Sequence, residues 1–139
     1  MIIQRRLVVA AQHDQLARLA TFVAIAASET GFDEPQVNRI ELAVDEACTN
    51  IIVHAYKGEP GTIQMDVMVD AGHALTIVLY DHGALFEPNK VPEFTPGESL
   101  DEMKIGGLGM HLMRQAMDEV VYEYDLLAGG NRLTMTKRL

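Results

Sequence analysis

Cysteine is nearly absent: Cys48 is the single one in 139 residues. One cysteine forms no internal disulfide, so nothing in the chain asks for an oxidising compartment. Its place inside an apolar pattern reads as a buried, inert thiol rather than a nucleophile. Basic residues are also few. Eleven Lys and Arg stand against 20 Asp and Glu, a formal net charge of -9. That balance argues against direct nucleic-acid binding, which needs a basic face. It leaves room for a phosphate ligand, because backbone N–H groups and a metal can neutralise phosphate without basic side chains. Long apolar runs are missing too. The longest strongly apolar stretch, "FVAIAA", covers only residues 22–27, too short to span a membrane. The opening "MIIQRRLVVAAQHDQ" carries no long apolar segment after its charges and so does not read as a secretory signal. No repeat or low-complexity tract interrupts the chain. The expectation is a soluble cytoplasmic protein with no membrane contact.

What is present suits one globular domain over residues 1–139. Hydrophobic residues make up 48% and charged residues 22%, an ordinary globular balance, in a chain long enough to bury a core. "RRLVVAA" reads as a first or edge strand. Asp14 is placed to cap a helix in which Leu16, Leu19, Ala20, Val23 and Ala27 fall at helical spacing and Gly31 is the stop. A second helix starts near Asp33 to Pro35 and packs through Ile40, Ala43, Val44, Ala47 and Ile51. The period then changes to two. "TIQMDVMVD" and "ALTIVLYD" form a hairpin of half-buried strands. Residues 87–106 hold three of the five prolines and read as a functional loop, such as a lid. "LGMHLMRQAMDE" is helical, "VVYEYDLL" a strand, "AGGN" a turn and "RLTMTKRL" a last strand. Helices grouped against such strands predict an α/β fold: a two-layer α/β sandwich with a mixed, mostly antiparallel sheet and helices on one face. The eight methionines, Met65 and Met113 among them, read as core filling.

Three stretches could carry chemistry. In "ELAVDEACTNIIVHAY", Glu46 and Asn50 are i and i+4 and share one helical stripe beside the packed side. A Glu there can act as a general base, and an Asn carbonyl oxygen suits Mg²⁺ held chiefly by water and phosphates. In "YDHGALF", Asp81 ends a strand where a carboxylate can accept from an exocyclic amine such as that of adenine, and Gly83 lets a flat base approach the backbone. In "KIGGLGMHLM", Gly106, Gly107 and Gly109 precede a helix, and bare N–H groups at a helix N-terminus make an anion site. Each also has a plain structural explanation: a solvated polar face, a turn, and a flexible loop before a helix. The glycines are not a Rossmann fingerprint, since no strand directly precedes them, and they lack the Gly-Lys-Ser/Thr of a P-loop. His54 reads as half-exposed near a helix end, with no second His or Cys to complete a metal site. His82 and His111 read as surface or loop residues.

The order of the three stretches, more than any one of them, resembles the anti-sigma regulatory factor serine/threonine kinases. These belong to the Bergerat-type ATPase superfamily that also includes gyrase and the histidine kinases. The resemblance runs over nearly the whole chain and is most specific at Glu41 to Tyr56. It implies ATP and Mg²⁺ as cofactors, with Glu46 the catalytic base and Asn50 the metal ligand. Asp81 and Gly83 would be the adenine-reading pair, and Gly106, Gly107 and Gly109 the phosphate-contacting end of an ATP lid. Implied partners are a STAS-type anti-sigma antagonist protein, phosphorylated on serine, and a sigma factor. The assembly state stays open, a homodimer included. Two departures mark this chain: Ala84 and Leu85 follow the "DHG", and Lys104 is the only cation beside the glycines. Two other readings stand beside the kinase. One is a non-catalytic, ATP-dependent protein-binding module, which would need Asn50 but not Glu46. The other is a detached catalytic half of a histidine kinase, for which no phosphoacceptor hairpin is visible.

Overall fold

A computed structural model of the chain describes residues 1–87 and 107–139. In chain order the elements are strand β1 (Ile2–Ala10), helices α1 (Leu16–Thr30) and α2 (Glu34–Asn50), strands β2 (Thr62–Asp70) and β3 (Ala74–Asp81), helix α3 (Gly107–Ala116), and strands β4 (Glu119–Asp125) and β5 (Gly130–Arg138). The proposed lid over residues 87–106, with Gly106, lies outside the described residues except at Glu87.

The local sequence explains most of the boundaries. Asp33 caps α2 in a reciprocal box: its carboxylate accepts from the Gln36 N–H at 2.9 Å, while Gln36 Oε1 accepts from the Asp33 N–H at 3.3 Å. Pro35 occupies the first turn, where its missing N–H has no helical partner to lose. Gly31 closes α1 in the left-handed conformation, φ 117°, which a side chain would resist. Asp14 does not cap α1. It lies in a 3-10 turn, His13–Gln15, and α1 starts at Leu16 without a side-chain cap. The fourth strand also ends earlier than its apolar content suggests. Asp125 Oδ1 accepts from the N–H groups of Leu127 and Ala128, turning the chain and leaving Leu126 and Leu127 exposed.

The five strands form one sheet in the order β1-β2-β3-β5-β4, and every described pair is antiparallel. Register aligns one inward row across the whole sheet: Leu7, Met65, Leu79, Leu133 and Tyr122. With Ile63, Val67, Val69, Leu75, Ile77 and Met135, these side chains meet the buried faces of the helices. Helix α1 lies over β2 and β3, α2 lies between α1 and α3, and α3 reaches β4. The two-layer α/β sandwich is therefore the observed architecture. The core contains every apolar position assigned to the packed side of α2. Burying such faces supplies the main driving force for folding, at roughly 25 cal/mol per Å² of apolar surface removed from water. The first residues of β1 tie to α1 through a two-pronged bridge, Arg5 to Glu29, at 2.6 and 2.7 Å. On the other face of the sheet, Asp66 is buried beneath Arg6, which grips it at 2.7 and 3.0 Å. No helix among the described residues is long and apolar enough to cross a membrane.

Candidate nucleotide site

The inward alternation of β3 runs Leu75, Ile77, Leu79 and then Asp81. That of β5 runs Asn131, Leu133, Met135. Asp81 and Asn131 are direct cross-strand partners. At one end of the sheet the hydrophobic rows thus give way to two buried polar residues, 4% and 6% exposed, on the side that faces the helices. Above them the end of α2 presents Asn50, itself 7% exposed. Asn50, Asp81 and Asn131 line one cavity, with Ala47, Ile51, Phe86 and Tyr122 supplying apolar walls.

Two structural devices set this geometry. The first is the end of α2, which continues as a single π-helical turn, Ile51–Ala55. Its wider spacing shows in Tyr56 N–H donating to Ile51 O at 3.0 Å, and such turns are frequent at functional sites. His54 sits in this turn, half-buried. The second is the close seat of the strand-end turn against that helix end. A Cβ on Gly83 would stand 2.6 Å from the Ala55 carbonyl carbon and 2.7 Å from its oxygen. The Ala84 N–H donates to Ala55 O at 2.8 Å. Gly83 is therefore required by the packing of its turn on α2, a reason for the glycine that sequence reasoning did not supply. Tyr56 adds a pin: its hydroxyl accepts from His82 N–H at 2.8 Å and donates to Thr62 O at 2.7 Å.

The polar groups in the cavity are unequally satisfied. Asp81 Oδ1 accepts from Gly83 N–H and from Asn131 Nδ2, both at 2.9 Å. Burial pushes the Asp81 carboxyl above the ordinary carboxylate range, opposed by those two donors and by nearby His82. Asn50 Nδ2 is buried with no hydrogen-bond partner among the described residues. An orphan of this kind costs about 1–3 kcal/mol, and here it lies on a cavity wall. An amide that can turn either its oxygen or its nitrogen to an incoming ligand fits a magnesium–phosphate group, which wants an oxygen ligand. One turn earlier, Glu46 is half-buried, and burial followed by the charge of Asp45 raises its carboxyl. A carboxyl shifted toward neutrality is closer to the working range of a general base.

Sequence reasoning singled out Glu46, Asn50, Asp81 and Gly83; the structure brings Asn50 and Asp81 to one cavity, which Glu46 and Gly83 do not line. Gly107 and Gly109 fall in the first turn of α3. It missed Asn131, Phe86, Tyr122 and Tyr56. Phe86 stacks on Tyr122 with ring centroids 4.9 Å apart and a 43° tilt, and its N–H donates to Asn131 Oδ1 at 2.9 Å. With Phe86 seated, the cavity measures about 10 Å³, room for about one water. A larger recess of about 350 Å³ follows the β4–β5 hairpin. It shares Asp81 and Asn131 but receives nothing from α2, so it lacks Asn50, and Glu46 lines neither cavity.

Known proteins resemble this chain in sequence and in fold. The family model for the histidine kinase-like ATPase domain matches residues 9–137. The serine-protein kinase RsbW of Bacillus licheniformis is 34% identical over 118 residues, covering 81% of this chain and 71% of that protein. The RsbW of Bacillus subtilis is 30% identical over 138 residues, 94% of this chain and 82% of that protein. Among solved structures, a Mycobacterium tuberculosis protein with RsbU and RsbW domains superposes with a TM-score of 0.63 at 16% identity over 99% of this chain. The present chain spans only 32% of that longer one. A mycobacterial sensor histidine kinase, MprB, gives 0.56 at 15% identity, covering 95% of this chain and 97% of its own. At such identities the two structures speak for the fold alone, whereas the family model and the Bacillus kinases together show that the chain belongs to the histidine kinase-like ATPase domain family.

Proposed function

We infer that the chain works as one ATP-dependent serine/threonine protein kinase domain, holding Mg·ATP between α2 and the polar end of the sheet. The observation that carries this is the convergence of Asn50 and Asp81, from a helix and a strand far apart in sequence, on one cavity. Membership of an ATPase family and likeness to kinases named for serine phosphorylation support the same reading.

Each residue has a role that its surroundings support. Asp81, its Oδ1 already engaged, has Oδ2 available to accept the exocyclic amine of adenine. Asn50 would hold Mg²⁺ through its amide oxygen, with water and phosphate completing the shell, and the ion would neutralise charge on the phosphates. Gly107 and Gly109, with Gly106 before them, offer N–H groups to the phosphates at the start of α3. Glu46 accepts the proton of a serine or threonine hydroxyl as its oxygen attacks the γ-phosphorus and ADP leaves. Positioning and charge neutralisation supply most of the rate. The cavity is too small for adenine while Phe86 rests on Tyr122, so nucleotide entry moves Phe86 outward.

The resemblance noted in the sequence extends the reading to partners. The phosphoacceptor is a serine on a small STAS-type anti-sigma antagonist, and the second partner is a sigma factor, both met in the cytoplasm. Incubation with γ-labelled ATP, Mg²⁺ and antagonist candidates encoded beside the protein tests it. Phosphoserine on one candidate is the expected result. Unlabelled candidates with intact ATP binding would favour the non-catalytic module.

A further inference from the structure

We propose that Asn131 is a positioning residue that sets the preference for adenine by holding the Asp81 carboxylate in one orientation. The proposal rests on the reading of the cavity as an adenine site and deepens it.

The argument is one of valence. A carboxamide has two N–H donors and two acceptor lone pairs. Asn131 spends both donors inside the protein, on Asp81 Oδ1 at 2.9 Å and on Ala84 O at 2.8 Å. Its oxygen accepts from Phe86 N–H at 2.9 Å. With its donors committed, Asn131 has none to offer a base, and the residue is only 6% exposed. What it does is fix its neighbours. Asp81 Oδ1 receives two donors, from Asn131 and from the Gly83 N–H, and these hold the carboxylate plane. Oδ2 accepts nothing from the described residues and remains the one acceptor to meet an incoming amine. The same two donors favour the ionised form of Asp81 against the pull of burial. A neutral carboxyl could donate to a 6-oxo group as readily as accept from a 6-amino group, and a rotating carboxylate would hold the amine less well, so the purine preference would fade. Cross-strand pairing makes the arrangement rigid, since Asp81 and Asn131 sit opposite each other in the ladder.

The test measures the full chain's affinity, with Mg²⁺ present, for ATP and for purine riboside triphosphate, which lacks only the 6-amino group. The wild type should prefer ATP by about tenfold or more, the worth of a hydrogen bond to a charged group. Asn131→Ala should reduce that ratio to under about threefold, chiefly by weakening ATP. Asn131→Leu, of similar size but without the donors, should lose the ratio too, and serves if the alanine variant does not fold. Equal weakening of both triphosphates, or an unchanged ratio in a folded variant, would overturn the proposal and leave Asn131 as an anchor for residues 84–86. A wild type that binds both triphosphates equally would remove the adenine role of Asp81 itself, and the proposal with it.

Discussion

Asp81 and Asn131 face each other across β3 and β5, and the Asn131 amide donates to the Asp81 carboxylate at 2.9 Å. Around this contact the sheet stops being a hydrophobic platform and becomes a binding surface. The strand-end turn, the end of α2 and the first residues of the following loop are all tied to it, through Gly83, Ala84 and Phe86.

Glu46 should matter for phosphoryl transfer and little for nucleotide affinity. Glu46→Gln keeps size and polarity and removes the base. Transfer to the partner should fall by about 10²–10⁴-fold, with ATP affinity within about twofold of wild type, the range of ordinary surface changes. Single-turnover assays beside calorimetry check both. In the wild type, the raised Glu46 carboxyl makes transfer fail at higher pH than an ordinary carboxylate would, because the proton-bound form cannot act as base. Transfer should decline as pH drops through that raised value, and this limb should vanish from the residual activity of Glu46→Gln.

Gly83→Ala should destabilise the fold and loosen the site together. The new Cβ would meet backbone atoms of Ala55 at 2.6 and 2.7 Å, and neither the helix end nor the strand end yields easily. Overpacking of this kind costs about 1–3 kcal/mol. Urea unfolding should show the loss, and ATP affinity should fall because Asp81 moves with the turn. An alanine variant as stable as the wild type would mean that the turn does not seat on α2 as described.

Much of the fold was legible because its signals are local and periodic. The helix start near Asp33 to Pro35, the stop at Gly31 and the alternation in β2 and β3 each arise within a few residues. Glu46, Asn50 and Asp81 stood out because their types and order follow a family pattern, and of these Asn50 and Asp81 meet at one cavity. Asn131 did not stand out. The last strand was read as starting at Arg132, which left Asn131 to the "AGGN" turn. Only the register that sets it opposite Asp81 gives it a role. Phe86 and Tyr122 carry no pattern of their own and meet through the fold. The absent cap at Asp14 shows the opposite case, a reasonable local signal overridden by a 3-10 turn.

Tyr56→Phe should separate support from chemistry. The lost hydroxyl leaves the N–H groups of His82 and Thr62 without this acceptor and frees Thr62 O. Each unsatisfied, partly buried donor costs about 1–3 kcal/mol. The melting temperature should drop, while the preference for ATP over purine riboside triphosphate should persist, since Asn131 and Gly83 still hold Asp81.

The central claim is that Asp81 reads adenine at the polar end of the sheet, and Asp81→Asn tests it most directly. Burial raises the Asp81 carboxyl in the folded state, so the folded chain binds the proton more tightly than the unfolded one. Its stability contribution is therefore present at low pH and lost as pH rises through the raised value. A neutral amide at this position escapes that loss, and the unliganded variant at neutral pH should melt no lower than the wild type. Its affinity for ATP with Mg²⁺ should nonetheless fall by about tenfold or more, the loss of a charged acceptor for the amine. Calorimetric titration of the two proteins, with their melting temperatures measured alongside, decides it. Weaker ATP binding by an equally stable variant is the predicted result, and equal affinity for ATP would contradict the account.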